Sequence, residues 1–331
     1  MFAVVLVGGF GTRLRPLTND VPKPMLPVLH RPMIEHLVER LEVGGVTDVV
    51  LALGFRPEPF QLAFPDGRSG GVRMHYAVEP EPLDTAGAIG FAARAVGVDE
   101  TFIVANGDII SDLRFAELVT AHHAFGGDAT IHLTAVEDPS AFGVVELEES
   151  GAVRRFVEKP APGESDSNLI NAGTYVMEPT VLDVIPPLQR YSVERSVFPE
   201  LVDGRRLYGV STDDYWLDTG RPDQYLQANL DLVRGARGGG VDGIHPSAVV
   251  DAEAIVVESV VGRGAAIAAG ATVTDSLLLP GAAVGPGAVV ERSIVAGSVG
   301  DRCIVTDSVI GAGHAVPAEA TVASERLPDP G

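Results

Sequence analysis

Residues 2–7 form an apolar run rich in valine, the pattern of a strand buried on both faces of a parallel sheet. Pro32 stands at a first helical position, with Met33, Ile34, Leu37, Val38 and Leu41 on one face before Gly44 and Gly45 stop the helix. Residues 48–54 read as a second buried strand. Val72, Met74, Tyr76 and Val78 alternate as a third, more exposed one, and residues 101–105 make a fourth. Between the third and fourth strands, residues 79–87 are a loop entering an alanine-rich helix. Strands alternating with helices predict an α/β fold with a mostly parallel sheet. From Ala129 the pattern changes: strands at 129–136, 144–147 and 153–157 predict an inserted mixed sheet. A strand at 171–176 and helices at about 179–185, 193–201 and 222–234 follow.

A glycine-rich linker at 235–242 separates this region, residues 1–234, from a tail at 243–325 of different texture. There Ile244, Val250, Val256, Val261, Ile267, Val273, Leu279, Val284, Val290, Val295, Val299, Val305, Ile310, Val316 and Val322 recur mostly every five or six residues, with Gly, Ala, Pro and Asp between them. No helical face results, and the hexapeptide period predicts a parallel β-helix. The exposed end coils of such a rod call for capping or a partner, so a homo-oligomer formed through this domain is expected.

Composition narrows the function. The chain has 331 residues, enough for about two domains, and a net charge of −21, which argues against generalised binding to nucleic acid or acidic membrane. Any anionic ligand must be held by locally placed cations. The single cysteine, Cys303, cannot form an internal disulfide, and residues 2–7 have no basic segment before them, so a cytoplasmic protein without a signal peptide is expected. No apolar run approaches the roughly 20 residues that span a bilayer. Among 24 Lys plus Arg, lysine occurs only at Lys23 and Lys159, both beside prolines. A chain that otherwise uses arginine keeps a compact ammonium where a planar guanidinium would not fit, as in close phosphate contacts.

The candidate chemistry gathers at strand ends. LVGGFGTRLRPLTNDVPK, Leu6 to Lys23, lies at the carboxyl end of the first strand, where open α/β sheets bind ligands. Gly8, Gly9 and Gly11 lack a Cβ, so the backbone there can take positive φ and bring consecutive N–H groups close to an anion, with Arg13 and Arg15 behind them. The loop is neither a P-loop nor a dinucleotide fingerprint, whose third glycine would stand where Leu14 is. Asn106-Gly107-Asp108 ends the fourth strand, making Asp108 a candidate Mg²⁺ ligand or an Asx-type turn. Asp218, after the only tryptophan, Trp216, is a second metal candidate or a helix-entry cap, and Trp216 itself reads as core. The acidic residues and helix start within 79–87 face a nucleotide's base or sugar, or only cap the helix, and Asn171 serves a sugar or its own loop.

Taken in order, GGFGTRLRPLT, VPKPMLPV, EPLDTAGAI, NGDI, FGVV, VEKP, NAGTYV and WLDTG resemble the nucleotide-sugar pyrophosphorylases, the sugar-1-phosphate nucleotidyltransferases. The hexapeptide tail extends the likeness to the GDP-mannose pyrophosphorylase branch. The resemblance implies a Rossmann-like catalytic domain followed by a left-handed β-helix, and attack of a sugar 1-phosphate on the α-phosphate of a nucleoside triphosphate under Mg²⁺. It also implies roles. Leu6, Val7, Gly8 and Gly9 lie along base and ribose, with Glu79, Thr85 and Ala86 also at the nucleotide, while Gly11, Thr12, Arg13 and Lys23 hold the triphosphate. Asp108 and Asp218 are the metal pair, Gly143, Glu158 and Asn171 bind sugar hydroxyls, and Lys159 binds the sugar's phosphate. Asp84 departs from the pattern, since many members carry glycine there. Mannose 1-phosphate with GTP is the expected pair, and glucose 1-phosphate with dTTP or UTP is the alternative. An acyltransferase tail using His245 or His314, and a silent ligand-sensing subunit, are competing readings; the retained Arg13, Lys23, Asp108, Lys159 and Asp218 favour an active enzyme.

Overall fold

A computed structural model of the chain describes residues 1–9, 11–54 and 57–329. It divides into two compact units, Met1–Gly9 with Ile34–Trp216, and the described residues of Phe10–Met33 with Leu217–Gly331. Phe10, in the middle of the glycine loop, lies outside the described residues.

The first unit is built from β1 (Phe2–Leu6), α1 (Met33–Val43), β2 (Asp48–Leu53), β3 (Val72–Val78), α2 (Asp84–Val96), β4 (Phe102–Asn106), α3 (Phe115–Phe125), β5 (Ala129–Ala135), β6 (Gly143–Leu147), β7 (Val153–Glu158), β8 (Leu169–Met177) and β9 (Leu207–Ser211). Among the described residues these strands make one ten-stranded sheet in the order β7-β6-β8-β4-β1-β2-β3, with the short strand Arg68–Ser69 outside β3 and with β5 pairing both β8 and β9. The pairs β4–β1, β1–β2, β2–β3 and β5–β9 are parallel. The strands expected as an inserted mixed sheet are continuous with the parallel ones. The cause is the length of β8: its Thr174–Met177 end runs antiparallel to β4, while Ile170 lies opposite Val144 of β6.

The small face of α2, Ala86, Ile89, Ala92 and Ala93, is buried with Val4, Val50 and Val104 of the sheet, so β1, β2 and β4 are sealed and their carboxyl ends are fixed side by side. Residues 179–185 and 193–201, expected as plain helices, are a 3₁₀ turn (Pro179–Val184) and a π-type turn (Val193–Val197) that continues into the helix Phe198–Asp203. The Ser192 hydroxyl accepts a bond from the Arg195 N–H at 3.1 Å and its carbonyl accepts from both Ser196 and Val197, which widens that first turn.

In the second unit α4 (Pro222–Arg234) packs on a left-handed parallel β-helix made of three five-stranded parallel sheets. Val256, Val273, Val290, Val305 and Val322 form one inward column. In another, Leu278 rather than Leu279 stands in register with Val261 and Val295, a choice the run Leu277-Leu278-Leu279 leaves open until strand pairing settles it. A buried serine ladder runs along one corner: the N–H groups of Ser276, Ser293 and Ser308 each donate to the hydroxyl of the serine one coil below, at 3.0–3.1 Å. Those hydroxyls donate in turn to carbonyls of their own coil at 2.7 Å. Each serine follows a non-glycine residue at positive φ, Glu258, Asp275, Arg292 and Asp307, that turns the corner. No described helix is long and apolar enough to cross a membrane.

Candidate active site

In the first unit the carboxyl ends of β1, β2 and β4 carry the nucleotide candidates. Leu6 is opposite Ala52 on one side and Asn106 on the other, and the Val7 N–H continues the ladder to the Ala52 carbonyl at 3.1 Å. Gly8 follows because of space rather than torsion: a Cβ there would lie 3.3 Å from the Gly54 nitrogen and 3.5 Å from Glu79 Oε1. Gly9 has open space around it, and of the three glycines only Gly11 has positive φ, at 59°. Positive φ, open to all three glycines, is therefore taken only at Gly11.

Glu79 is 8% exposed, and its Oε2 accepts the Leu83 N–H at 2.8 Å. Burial holds its pKa above the usual carboxylate range, with the Leu83 bond opposing. At the entry to α2, Asp84 sits at φ 61°, a conformation that favours glycine, which accounts for glycine as the expected residue there. Its carboxylate is already used: Oδ1 accepts the Thr85 N–H at 2.8 Å and Oδ2 accepts Arg195 at 2.7 Å. The Thr85 hydroxyl donates to Glu194 at 2.7 Å and accepts the Val193 N–H at 2.9 Å, and Ala86 is buried. At the end of β4, Gly107 donates to the Leu6 carbonyl at 2.9 Å and leaves no room for a side chain against Val7, fixing the half-buried Asp108 that follows.

The sugar candidates lie on β6, β7 and β8. Gly143 is opposite Glu158, and a Cβ at Gly143 would come 3.1 Å from Glu158 Oε2. Lys159, 65% exposed, has positive φ, donates its N–H to the Phe142 carbonyl, and holds its ammonium 3.4 Å from Glu158 Oε1. Asn171 donates to the Tyr175 hydroxyl at 3.0 Å and accepts the Gly173 N–H at 2.9 Å, beside a register shift between β8 and β5. Trp216, expected in the core, is only half-buried; its indole N–H donates to the Ala172 carbonyl at 2.9 Å and its ring meets Phe142 edge-on, a structural use.

In the second unit Gly11 caps a 3₁₀ turn, Thr12–Leu14, that leaves Thr12 and Arg13 exposed over a buried Leu14. A Cβ on Gly11 would lie 3.0 Å from Thr18 and 3.4 Å from Lys23, so the glycine lets these side chains close in. Lys23 is 7% exposed with its ammonium 3.7 Å from Asp218 Oδ1, the oxygen that also accepts the Gly220 N–H at 2.8 Å. Gly220 carries no sequence signal of its role; a Cβ there would sit 3.0 Å from Arg13 Nη2, so its lack of a side chain leaves room for Arg13 beside Asp218. Arg195 and Glu194 were also missed, being 111 and 109 residues from the α2 residues they hold. Among the described residues no group of three or more His, Cys, Asp or Glu is placed to hold a metal; Asp108 belongs to the first unit and Asp218 to the second. His245 packs edge-on against His30 and its Nδ1 is bonded to Ser247, a structural use rather than that of a base.

Two family profiles match the chain: nucleotidyl transferase over residues 2–235, and a GlmU-like C-terminal hexapeptide over residues 245–329. The chain is 42% identical to the mannose-1-phosphate guanylyltransferase of Mycobacterium tuberculosis, over 80% of this chain and 76% of that protein. It is 44% identical to the mannose-1-phosphate guanyltransferase of Schizosaccharomyces pombe, over 68% of this chain and 62% of the relative, so part of the longer relative has no counterpart in the match. Among solved structures, HddC from Yersinia pseudotuberculosis complexed with GMP-PN superposes with a TM-score of 0.57 at 27% identity, over 69% of this chain and 97% of that one. On fold, motif order and sequence identity together, the chain belongs to the nucleotidyl transferase family.

Proposed function

We propose that this protein transfers a guanylyl group from GTP to mannose 1-phosphate, forming GDP-mannose and pyrophosphate. The observation that carries the reading is Lys23, a cation kept almost wholly out of water beside Asp218 and behind a glycine turn bearing Arg13. Burying an ammonium is costly, and a polyanionic ligand repays it. The named activity of the mycobacterial and fission-yeast relatives supports GTP and mannose 1-phosphate as the substrate pair.

The attacking oxygen of a sugar 1-phosphate is anionic near neutral pH, so the reaction needs no general base and depends on positioning and charge. In this proposal Gly11, Thr12, Arg13 and Lys23 hold the triphosphate and the leaving pyrophosphate, and Lys159 aligns the attacking phosphate. Leu6, Val7, Gly8 and Gly9 follow the base and ribose, with Thr85 and Ala86 at the start of α2. Gly143, Glu158 and Asn171 serve the sugar, Asn171 with the second donor and acceptor positions that its internal bonds leave over. Asp108 and Asp218 would hold Mg²⁺, which takes one or two carboxylates and fills its other positions with water and phosphate oxygens. When bound, the ion supplies neutralisation of phosphate charge. Residues 1–234 would be catalytic, 235–242 a linker and 243–325 a β-helix through which a cytoplasmic homo-oligomer forms, its exposed Ile255, Val289 and Ile304 lying in one column that Thr272 interrupts.

Glu79 favours guanine over the thymidylyl or uridylyl alternative. Guanine offers N1–H and the 2-amino group to a carboxylate, whereas uracil and thymine offer a single N–H flanked by two carbonyl oxygens that repel it. Pyrophosphate release measured with GTP, ITP, dTTP and UTP against mannose and glucose 1-phosphates tests this. GTP with mannose 1-phosphate should be best, and ITP, which lacks the 2-amino group, poorer. Glu79→Gln should lower kcat/KM for GTP by roughly 10- to 100-fold and narrow the GTP-to-ITP ratio. Preference of the wild-type enzyme for dTTP or UTP would sink the guanylyl reading.

A further inference from the structure

The part of the glycine loop from Gly11 onward belongs to the same compact unit as the β-helix, and specific contacts tie the two. The Thr12–Leu14 turn uses its own backbone bonds at Gly11, Thr12 and Leu14, whose carbonyls accept from Leu14, Arg15 and Leu17 at 2.9, 3.2 and 3.0 Å. The Arg13 carbonyl instead accepts Nη1 of Arg326, from the strand Arg326–Leu327 of the last coil, at 2.8 Å. Gly311, one coil earlier, lies flat against Pro16: a Cβ there would stand 2.8 Å from both Pro16 Cβ and Cγ. Further along the same segment, the Tyr225 hydroxyl of α4 donates to the Pro27 carbonyl at 2.5 Å and Asn229 Oδ1 accepts the Leu29 N–H at 2.7 Å. His30 then packs edge-on against His245 in the first coil, ring centres 5.0 Å apart. The segment from Arg13 to His30 is therefore held at one end by the last coils and at the other by α4 and the first coil.

From this arrangement we infer that the end of the β-helix is a positioning device for the triphosphate loop, with Arg326 and Gly311 as positioning residues acting through the backbone of Arg13 and Pro16. The inference rests on the reading of Arg13 as a triphosphate ligand. An exposed arginine bonded to a backbone carbonyl adds little to global stability, but the peptide it holds carries the guanidinium of Arg13 on one side and the buried anchor Leu14 on the other. Loss of the bond frees that peptide to rotate and withdraws Arg13 from a fixed aim. The β-helix thus has a use within a single chain, independent of any oligomer it forms.

The test compares full-length wild type with Arg326→Ala, Arg326→Lys and Gly311→Val in steady-state pyrophosphate release, recording KM for each substrate and the thermal midpoint. Arg326→Ala should raise KM for the nucleotide roughly three- to tenfold, with KM for the sugar phosphate and the midpoint unchanged. Arg326→Lys, still able to donate to the carbonyl, should recover most of the loss. Gly311→Val should move nucleotide KM in the same direction as the alanine variant. A nucleotide KM within twofold of wild type in Arg326→Ala, or both KM values and the midpoint moving together, overturns the inference. Should the wild-type enzyme prefer another nucleotide, the same comparison is made with that one, so a wrong base assignment and a wrong positioning role appear in different measurements.

Discussion

Lys23 and Lys159 look alike in the sequence, each a rare lysine before a proline, yet the structure separates them. Lys159 is 65% exposed beside Glu158, whereas Lys23 is buried beside Asp218. Lys23→Ala should cost activity, and because it removes one partner of a largely buried ion pair it should lower the thermal midpoint as well. A preorganised cation on a leaving group contributes about 2.7–4 kcal/mol, and kcat/KM should fall about 100- to 1000-fold. Lys23→Arg should restore little, because the wider planar head must fit a buried position beside Asp218 that holds a compact ammonium. Turnover of the alanine variant at the wild-type rate would remove Lys23 from the site. Residue type and neighbourhood were legible from the sequence here; burial was not, because it depends on Asp218, distant in the chain. Asp84 makes the same point: the sequence marks it as out of pattern, while its positive φ and its tie to Arg195 explain how it is accommodated.

At the level of elements, periodicity is local and was readable: strands, the alanine-rich helix and the hexapeptide tail stand where their patterns put them. What periodicity does not encode is the partner of a strand or the reason for a corner. The single sheet depends on β8 reaching from β4 to β6, and the mixed turn at 193–201 depends on Ser192. The serine ladder has a sequence signal, serine at 259, 276, 293 and 308, one per coil. Each hydroxyl accepts the N–H of the next coil and donates to its own, so removing one leaves a buried N–H without its acceptor. Ser293→Ala should therefore destabilise the β-helix by about 1–3 kcal/mol, seen as a lower thermal midpoint with nucleotide KM retained. Ser293→Thr keeps the oxygen and should recover part of the loss. An alanine variant as stable as wild type would show that the ladder is satisfied by other means.

Across the whole molecule, acid is the condition that should expose a weak point, and the weak point is His132 in β5. It is buried, its Nε2 bonded to the Thr212 hydroxyl at 2.9 Å and its Nδ1 without a hydrogen-bond partner among the described residues. Burial pushes its pKa down to about 4, with the charge of Asp214 pulling the other way. His122 is shifted in the same direction, again by burial, against the opposing bond to Glu178. A depressed histidine binds its proton more readily in the unfolded chain, so its contribution is complete above the unfolded value near 6.5 and is lost as pH falls toward 4. From pH 7.5 to 5, His132 alone should remove about 2 kcal/mol, a sizeable share of the roughly 5–15 kcal/mol that holds a domain together. The net charge of −21 works the other way, since protonating surface carboxylates relieves repulsion, but carboxylates titrate mainly below pH 5, so the histidine effect dominates the upper part of the range. Urea unfolding at the two pH values should show the loss in wild type. His132→Gln, which keeps a polar group for Thr212 and cannot titrate, should lose about 2 kcal/mol less between the same values, whatever its stability at pH 7.5. Equal pH slopes for the two proteins would mean that His132 takes up no proton on unfolding, and the acid sensitivity would then lie with His122 and the carboxylates.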